Sequence, residues 1–244
     1  MGDTILKMVI DFMAGKLKPF LKGRRFYNVQ NQHAESFLFG TLPSFLQSLW
    51  HKRGTKPVFN IHDWLHRQEV MASSSHEPCI TWIGHSTFLI QIAGFNIITD
   101  PIFGSPSLLF ARVLPPGIAA HQLPSIDLVL ISHNHRDHMD APSLHALKAR
   151  NPGIQVMVGL GDKGWFDKSG FASTTQHAWW DERIIELRNC ENLRIAFLPA
   201  WHWSQRGVFD KNKSLWGSWM IQVGDHTIYF AGDTAYSPHF KAIA

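Results

Sequence analysis

The sequence predicts a mixed α/β domain, and three observations predict it. Short apolar runs rich in β-formers follow one another from residue 79 onward. One of them, "IDLVLIS" at 126–132, is apolar without alternation, as expected of a strand covered on both faces. Between them lies at least one segment with helix-start chemistry, "DAPSLHALKAR" at 140–150.

The elements follow in order. "CITWIGHSTFLIQI" at 79–92 reads as two strands around a turn, and Ala93-Gly94 makes the next turn before "FNIITD" at 95–100. After "IDLVLIS" comes the helix "APSLHALKAR", with Asp140 as N-cap and Pro142 in its first turn. "IQVMV" at 154–158 is a strand running into the glycine-rich "GLGDKGWF". That loop is neither a Walker loop nor GxGxxG, so nucleotide binding is not expected. "LRIAFLPA" at 193–200 is a further strand, and "SWMIQV", the turn "GDH" and "TIYFAGDT" form a hairpin. Upstream, "FLFGTLPSFLQSLW" and "IHDWLHRQEVM" carry weak helical signals and "SSSHEP" reads as a loop. The organisation expected is an N-terminal extension over 1–78 and a folded domain over 79–244.

Composition narrows the chemistry. With 244 residues, 45% hydrophobic and 17% charged, the chain has an ordinary globular balance. A net charge of +4 tolerates phosphate esters or lipid headgroups, but there is no Lys/Arg-rich arm, so a nucleic-acid partner is not expected. Cys79 and Cys190 form no CxxC pair, which leaves nitrogen and oxygen as the metal ligands. The N-terminal "MGDTILKMVIDFMAGKLKPFLKGRR" is interrupted by Lys7, Asp11, Lys16 and Lys18. That excludes a signal-peptide core and a spanning helix of about 20 apolar residues. It reads as an amphipathic helix with a basic end at Lys22–Arg25, docked on its own domain in preference to a membrane surface. The expected location is cytoplasmic, at most peripheral to a membrane.

The chemistry concentrates where apolar runs stop: "VLIS" before His133, "FLPAW" before His202, "YFAG" before Asp233. Ligands at the ends of core strands are held rigidly, while the loops beyond leave coordination positions open. The pattern HxHxDH at 133–138 is expected by chance about 0.003 times in a chain of this composition. His133 and His135, alternate residues leaving a strand, can turn toward one metal, and Asp137 with His138 toward a second. Imidazole and carboxylate without thiolate suit zinc and admit iron or manganese. His33, His51, His62, His66, His76 and His145 stand alone and carry no such signal.

These residues resemble a known family. "TDP" at 99–101, "HNHRDH" at 133–138, His202 after a strand and "AGDT" at 231–234 resemble four of the five motifs of the metallo-β-lactamase fold. "TWIGHSTFLIQ", "TDPIF", "RVLPPGI", the Trp179-Trp180 pair, "LPAWHWSQRGVFDKNKSLWGSW" and "YFAGDTAY" are similar to the branch of N-acylphosphatidylethanolamine-hydrolysing phospholipase D and its bacterial relatives. The similarity runs through most of 79–237. It implies a four-layer αββα fold and two zinc ions, with His133, His135 and His202 on one, Asp137 and His138 on the other, and Asp233 bridging. Asp100 would orient a ligand histidine from behind. The implied reaction is hydrolysis of a phospholipid phosphodiester by a hydroxide bridging the metals, with Asp137 holding or accepting its proton. The products would be a phosphatidic acid and an N-acylethanolamine. The family's final ligand histidine has no counterpart after Asp233, since His239 stands in the unrelated context "SPHF". The C-terminal part of the family pattern is therefore expected to be absent from this chain.

Other readings keep parts of this picture. The same metals could serve a lactone, thioester or β-lactam, or the chain could be a silent domain that binds one metal or a membrane. His85 in "GHST" is expected to border the metal cleft, behind the ligands or against substrate. Trp179, Trp180, Trp201, Trp203, Trp216 and Trp219 are expected mainly in the core, with an acyl-chain groove as the alternative. Arg206, Lys211 and Lys213 are assigned no role.

Overall fold

A computed structural model describes residues 17–28, 77–105, 112, 114–189 and 191–244. The predicted helix before residue 17, the helical segments at 37–50 and 61–71, and Cys190 lie outside the described residues. Two sheets dominate the described part. The first holds β3 (Cys79–Gly84), β4 (Thr87–Ile92), β5 (Phe95–Thr99), β6 (Leu128–Leu130), β7 (Gln155–Gly159) and β8 (Ser173–His177), side by side in that order. The second holds β9 (Glu182–Glu186), β10 (Asn192–Leu198), β11 (Ser218–Val223) and β12 (His226–Phe230), all antiparallel. The preceding β1 (Phe20–Lys22) and β2 (Arg25–Tyr27) form a separate hairpin.

Strand direction decides where the chemistry emerges. Only β4 runs against the others in the first sheet, because β5–β6, β6–β7 and β7–β8 are parallel while β3–β4 and β4–β5 are antiparallel. The C-terminal ends of β3, β5 and β6 therefore lie on one edge, and His85, Asp100 and His133 leave from there. In the second sheet β10 and β12 share a direction, and His202 and Asp233 follow their C-terminal ends.

Two apolar layers hold this arrangement. Between the sheets, Ile90, Ile92, Ile97, Leu128 and Leu130 meet Leu193, Ile195, Phe197, Trp219 and Ile221. On the other face of the first sheet, Leu89, Ile98, Val129, Val156 and Val158 pack against Leu144 and Leu147 of α1 (Ala141–Arg150) and Phe166 of α2 (Lys163–Lys168). Neighbouring β6 residues thus serve opposite layers, which is why "LVL" is apolar at every position. Burial of each such side chain stabilises the fold by about 1.5–3 kcal/mol. The α1 N-terminus is as expected: Asp140 accepts from the Ser143 amide at 3.0 Å.

The helical layer over the outer face of the second sheet is represented, among the described residues, by α3 (His239–Ile243) alone. Its Phe240 ring lies 6.3 Å from that of Tyr229, an outward residue of β12. The basic stretch Lys22–Arg25 is a hairpin turn and not a helix end. Gly23 takes the left-handed conformation (φ 63°), and the Phe26 amide donates to the Asn212 carbonyl at 2.8 Å. Segment 17–28 is therefore tied into the domain, with the Trp180 indole donating to the Leu17 carbonyl at 2.7 Å.

Tryptophan indoles also cross between layers. Trp219 Nε1 donates to the Ile131 carbonyl at 3.0 Å, joining β11 to the end of β6, and the Gly217 amide donates to the Ser132 carbonyl at 2.9 Å. Trp179 donates to the Trp216 carbonyl, and Trp216 to the Ala200 carbonyl. Trp179, Trp216 and Trp219 are core residues, as expected, whereas Trp203 is exposed.

Candidate metal centre

The loop after β6 turns its side chains inward because its backbone is pinned on both sides. Ser132 donates its amide and its hydroxyl to Asp100, at 2.8 and 2.5 Å. Asp100 sits at the end of β5 with φ 35°, a left-handed conformation that aspartate tolerates better than most residues. Gly232 approaches from β12, and a Cβ there would lie 2.5 Å from Ser132 Cβ, so only glycine fits.

Three imidazoles converge above this floor. His133 Nε2 and His135 Nδ1 are 2.8 Å apart, and His202 Nε2 lies 3.2 and 3.3 Å from them. Ligands at 2.0–2.1 Å around a tetrahedral zinc are separated by about 3.3 Å. Three lone-pair nitrogens at this spacing repel one another unless a cation or shared proton lies among them. A second proton on any of these rings is disfavoured here, which leaves a cation or the single N–H of a neutral ring to occupy the gap. Burial drives His133 well below its ordinary value and lowers His135 and His202 to about 4. The donor set therefore fits a metal such as zinc. Among the described residues His135 Nε2 has no hydrogen-bond partner, and the Trp203 ring packs edge-on against that imidazole with centroids 4.2 Å apart.

A second donor set adjoins the first. His138 Nε2 lies 3.3 Å from Asp233 Oδ2 and 3.9 Å from Asp137 Oδ2. Asp233 Oδ2 is also 3.8 Å from His202 Nε2, so one carboxylate oxygen stands between the two sets. His85 is here as well, its Nε2 3.3 Å from both Asp137 Oδ2 and His138 Nε2. Burial opposes a proton on His138, but hydrogen bonds to Asp100 and Asp233 outweigh it and raise this group to about 10. The carboxylates that attract that proton attract a cation equally. Asp137 is held at about 2, because the His85 hydrogen bond and the His138 charge overcome the effect of burial. The His138 hydrogen bond likewise depresses Asp233.

Asp100 governs tautomers in both sets. It accepts from His138 Nδ1 at 2.8 Å, which leaves Nε2 facing Asp233. Through the Ser132 hydroxyl, 2.9 Å from His133 Nδ1, it also turns the His133 Nε2 lone pair inward. Burial raises the Asp100 carboxyl, and its His138 and Ser132 donors oppose that rise. Three donors already bond to Asp100, which also lies close enough to His133 and His138 to form a third candidate donor group.

The structure thus brings together His133, His135, Asp137, His138, His202 and Asp233, with Asp100 behind them and His85 beside them. His239 is elsewhere, buried in α3 between Thr234 and Ser237. Arg206 is occupied, donating to the Met139 carbonyl at 2.6 Å with its guanidinium 4.8 Å from the Trp165 ring centroid. Sequence reasoning missed five supports. Ser132 has been described. Asn28 donates to the His202 carbonyl at 2.8 Å and accepts from the Trp216 indole at 3.1 Å. Asn134 and Ser214 both donate to Asp162 Oδ1, at 3.0 and 2.7 Å, anchoring the loop between His133 and His135. Burial raises Asp162 to about 6. Ser132 had a local signal, a small hydroxyl residue immediately before the first histidine, but the others had none.

The family model for the beta-lactamase superfamily domain matches residues 95–244. The chain belongs to this superfamily. Within it, the chain is 34% identical over 173 residues to an N-acyl-phosphatidylethanolamine-hydrolyzing phospholipase D 1 of Caenorhabditis elegans, covering 67% of this chain and 49% of that protein. It is 33% identical to the mitochondrial enzyme of the same description from Saccharomyces cerevisiae, over 64% of this chain and 34% of that one. The chain thus spans half or less of these superfamily relatives. A possible metal-dependent hydrolase from Veillonella parvula shares the fold at 15% identity, with a TM-score of 0.53 over 68% of this chain and 66% of that one.

Proposed function

We infer that this chain carries the reaction centre of a two-metal hydrolase that cleaves a phosphodiester bond in an N-acylphosphatidylethanolamine-like phospholipid. The observation that carries the reading is the position of Asp233 Oδ2, within 3.8 Å of His202 and 3.3 Å of His138, since one carboxylate reaches both donor sets. The likeness to two phospholipases acting on that lipid supports the substrate class. So does the loop after His202, where Val208 and Phe209 are exposed and Lys211 lies over the Trp203 ring, 5.4 Å from its centroid. Apolar tips beside a cation suit an amphiphile with an anionic headgroup and a peripheral contact with a membrane.

When bound, two cations supply Lewis-acid stabilisation of charge on a phosphoryl group and lower the pKa of water toward about 7. The chain's residues do the rest. The three neutral imidazoles offer lone pairs in a buried frame. Asp137, ionised and about 39% exposed on its side chain, faces the opening where it can hold a proton of the attacking water. Asp100 and Ser132 keep ring nitrogens aimed inward, so no reorganisation is needed at the moment of reaction.

The test is hydrolysis of N-acylphosphatidylethanolamine in vesicles, beside a lactone and a thioester, by the metal-loaded chain and by His133→Ala and Asp233→Asn. Release of N-acylethanolamine by the parent, with loss of both turnover and metal in the variants, is expected. Preferential lactone or thioester cleavage would replace the substrate assignment. A chain that binds two metals and cleaves none of the three would refute the catalytic reading.

A further inference from the structure

The second donor set has more nitrogen than the motif at 133–138 supplies. We propose that His85, from the turn between β3 and β4, is a direct ligand of the second metal through Nε2, together with Asp137 and His138. This rests on the two-metal reading above and extends it to a residue outside every ligand motif so far assigned.

Geometry carries the proposal. The separations around the second set are 3.3 Å for His85 Nε2–Asp137 Oδ2, 3.3 Å for His85 Nε2–His138 Nε2, 3.3 Å for His138 Nε2–Asp233 Oδ2 and 3.9 Å for His138 Nε2–Asp137 Oδ2. Ligands at 2.0–2.2 Å on a tetrahedral ion stand about 3.3–3.6 Å apart. One ligand atom each from His85, Asp137 and His138 lies within 4.8 Å of the others. Without a metal, His85 Nε2–H donates to Asp137 while a doubly protonated His138 donates to Asp100 and Asp233, so the assignment rests on the ligand-like spacing and not on a hydrogen-bond deficit.

The backbone is built to aim this side chain. His85 has φ 51°, a conformation that L residues adopt rarely and that concentrates at functional sites. Gly84 before it has φ 141°, and the β3–β4 register shifts between Trp82 and Gly84. Trp82 Nε1 then donates to the His85 carbonyl at 2.9 Å, locking the turn. A bulge that only closed a hairpin would not require a histidine in left-handed backbone. Here the bulge turns the imidazole from the strand edge into the cluster.

The experiment titrates zinc into the chelator-stripped chain and into His85→Asn, a variant whose side chain tolerates the left-handed backbone and cannot reach as imidazole does. The parent is expected to bind two ions. The variant should bind one at parental affinity and the second more than about 100-fold more weakly, beyond the loss typical of removing an outer hydrogen-bond partner. Cobalt at saturating concentration gives the direct readout, since the variant should show one fewer set of hyperfine-shifted imidazole resonances. His85→Gly, unstrained at this φ, serves if the asparagine variant does not fold, and free imidazole should restore its second site. Two ions bound equally by parent and variant, with unchanged imidazole resonances, would overturn the His85 assignment alone. Fewer than two ions bound by the parent would overturn the two-metal reading and this inference with it.

Discussion

The two donor sets use similar groups in opposite surroundings. His133 is 1% exposed and the His202 side chain 17%, whereas Asp137, Asp233 and His85 expose 39%, 40% and 43% of their side chains around a fully buried His138. In the closed set, burial disfavours imidazolium and leaves neutral rings whose inward nitrogens suit a cation. In the open set, carboxylates stay ionised at the mouth, where water and substrate arrive. On the proposed two-metal reading the contrast would divide the work, with the first set holding and the second exchanging and reacting.

Removing the group the two sets share should break the contrast most severely. Asp233→Asn is expected to lower turnover more than about a thousandfold, because it costs several kcal/mol of charge stabilisation, and to weaken both metals in a zinc titration. Asp100→Asn should weaken metal affinity about 10–100-fold in both sets, since it orients His138 directly and His133 through Ser132. A loss confined to the open set would show that the Ser132 relay is idle. Gly232→Ala forces a methyl against Ser132 and a side chain onto φ 59°, and should cost about 1–3 kcal/mol in denaturant unfolding without altering the metal stoichiometry.

Protons separate the sets in the metal-free chain. His138 holds its proton to about pH 10 when folded, against 6.5 ordinarily, so its stabilisation is complete below 6.5 and is lost as pH rises from 6.5 to about 10. His135 and His202, lowered to about 4, act oppositely, and their stabilisation is lost as pH falls from 6.5 to about 4. Thermal melts should therefore decline by a few degrees on both sides of neutrality, and zinc should flatten the alkaline side by replacing the His138 proton. A metal-free chain whose midpoint keeps rising to pH 9 would contradict the assignment. The smallest expected effect is that of Asn28→Ala, about 1 kcal/mol, because Trp216 retains the Ala200 carbonyl.

Legibility followed burial. "IDLVLIS" and "LRIAFLPA" declare themselves because both faces or one whole face of each strand is apolar, and Asp140 declares its helix because a cap bonds within its own turn. "STTQH" and "ERIIE" became β8 and β9 unannounced. They are sheet-edge strands with exposed positions, so tertiary pairing and not pattern makes them strands. The hairpin at 20–27 was misread as a helix end because six strand residues are too few to show a period. The ligands were legible as a motif, and their supports were not. Asn28 and Asp162 act on residues 174 and 28 positions away, where no local spacing can point.

The Trp219–Ile131 and Gly217–Ser132 bonds rivet the two sheets together directly beneath the cluster. The gap that sets ligand spacing is thereby inherited from main-chain carbonyls and not from the loops at the rim. Such a centre can keep its donor spacing while the segment around 203–213 drifts in sequence, so selection could retune what enters without rebuilding what reacts.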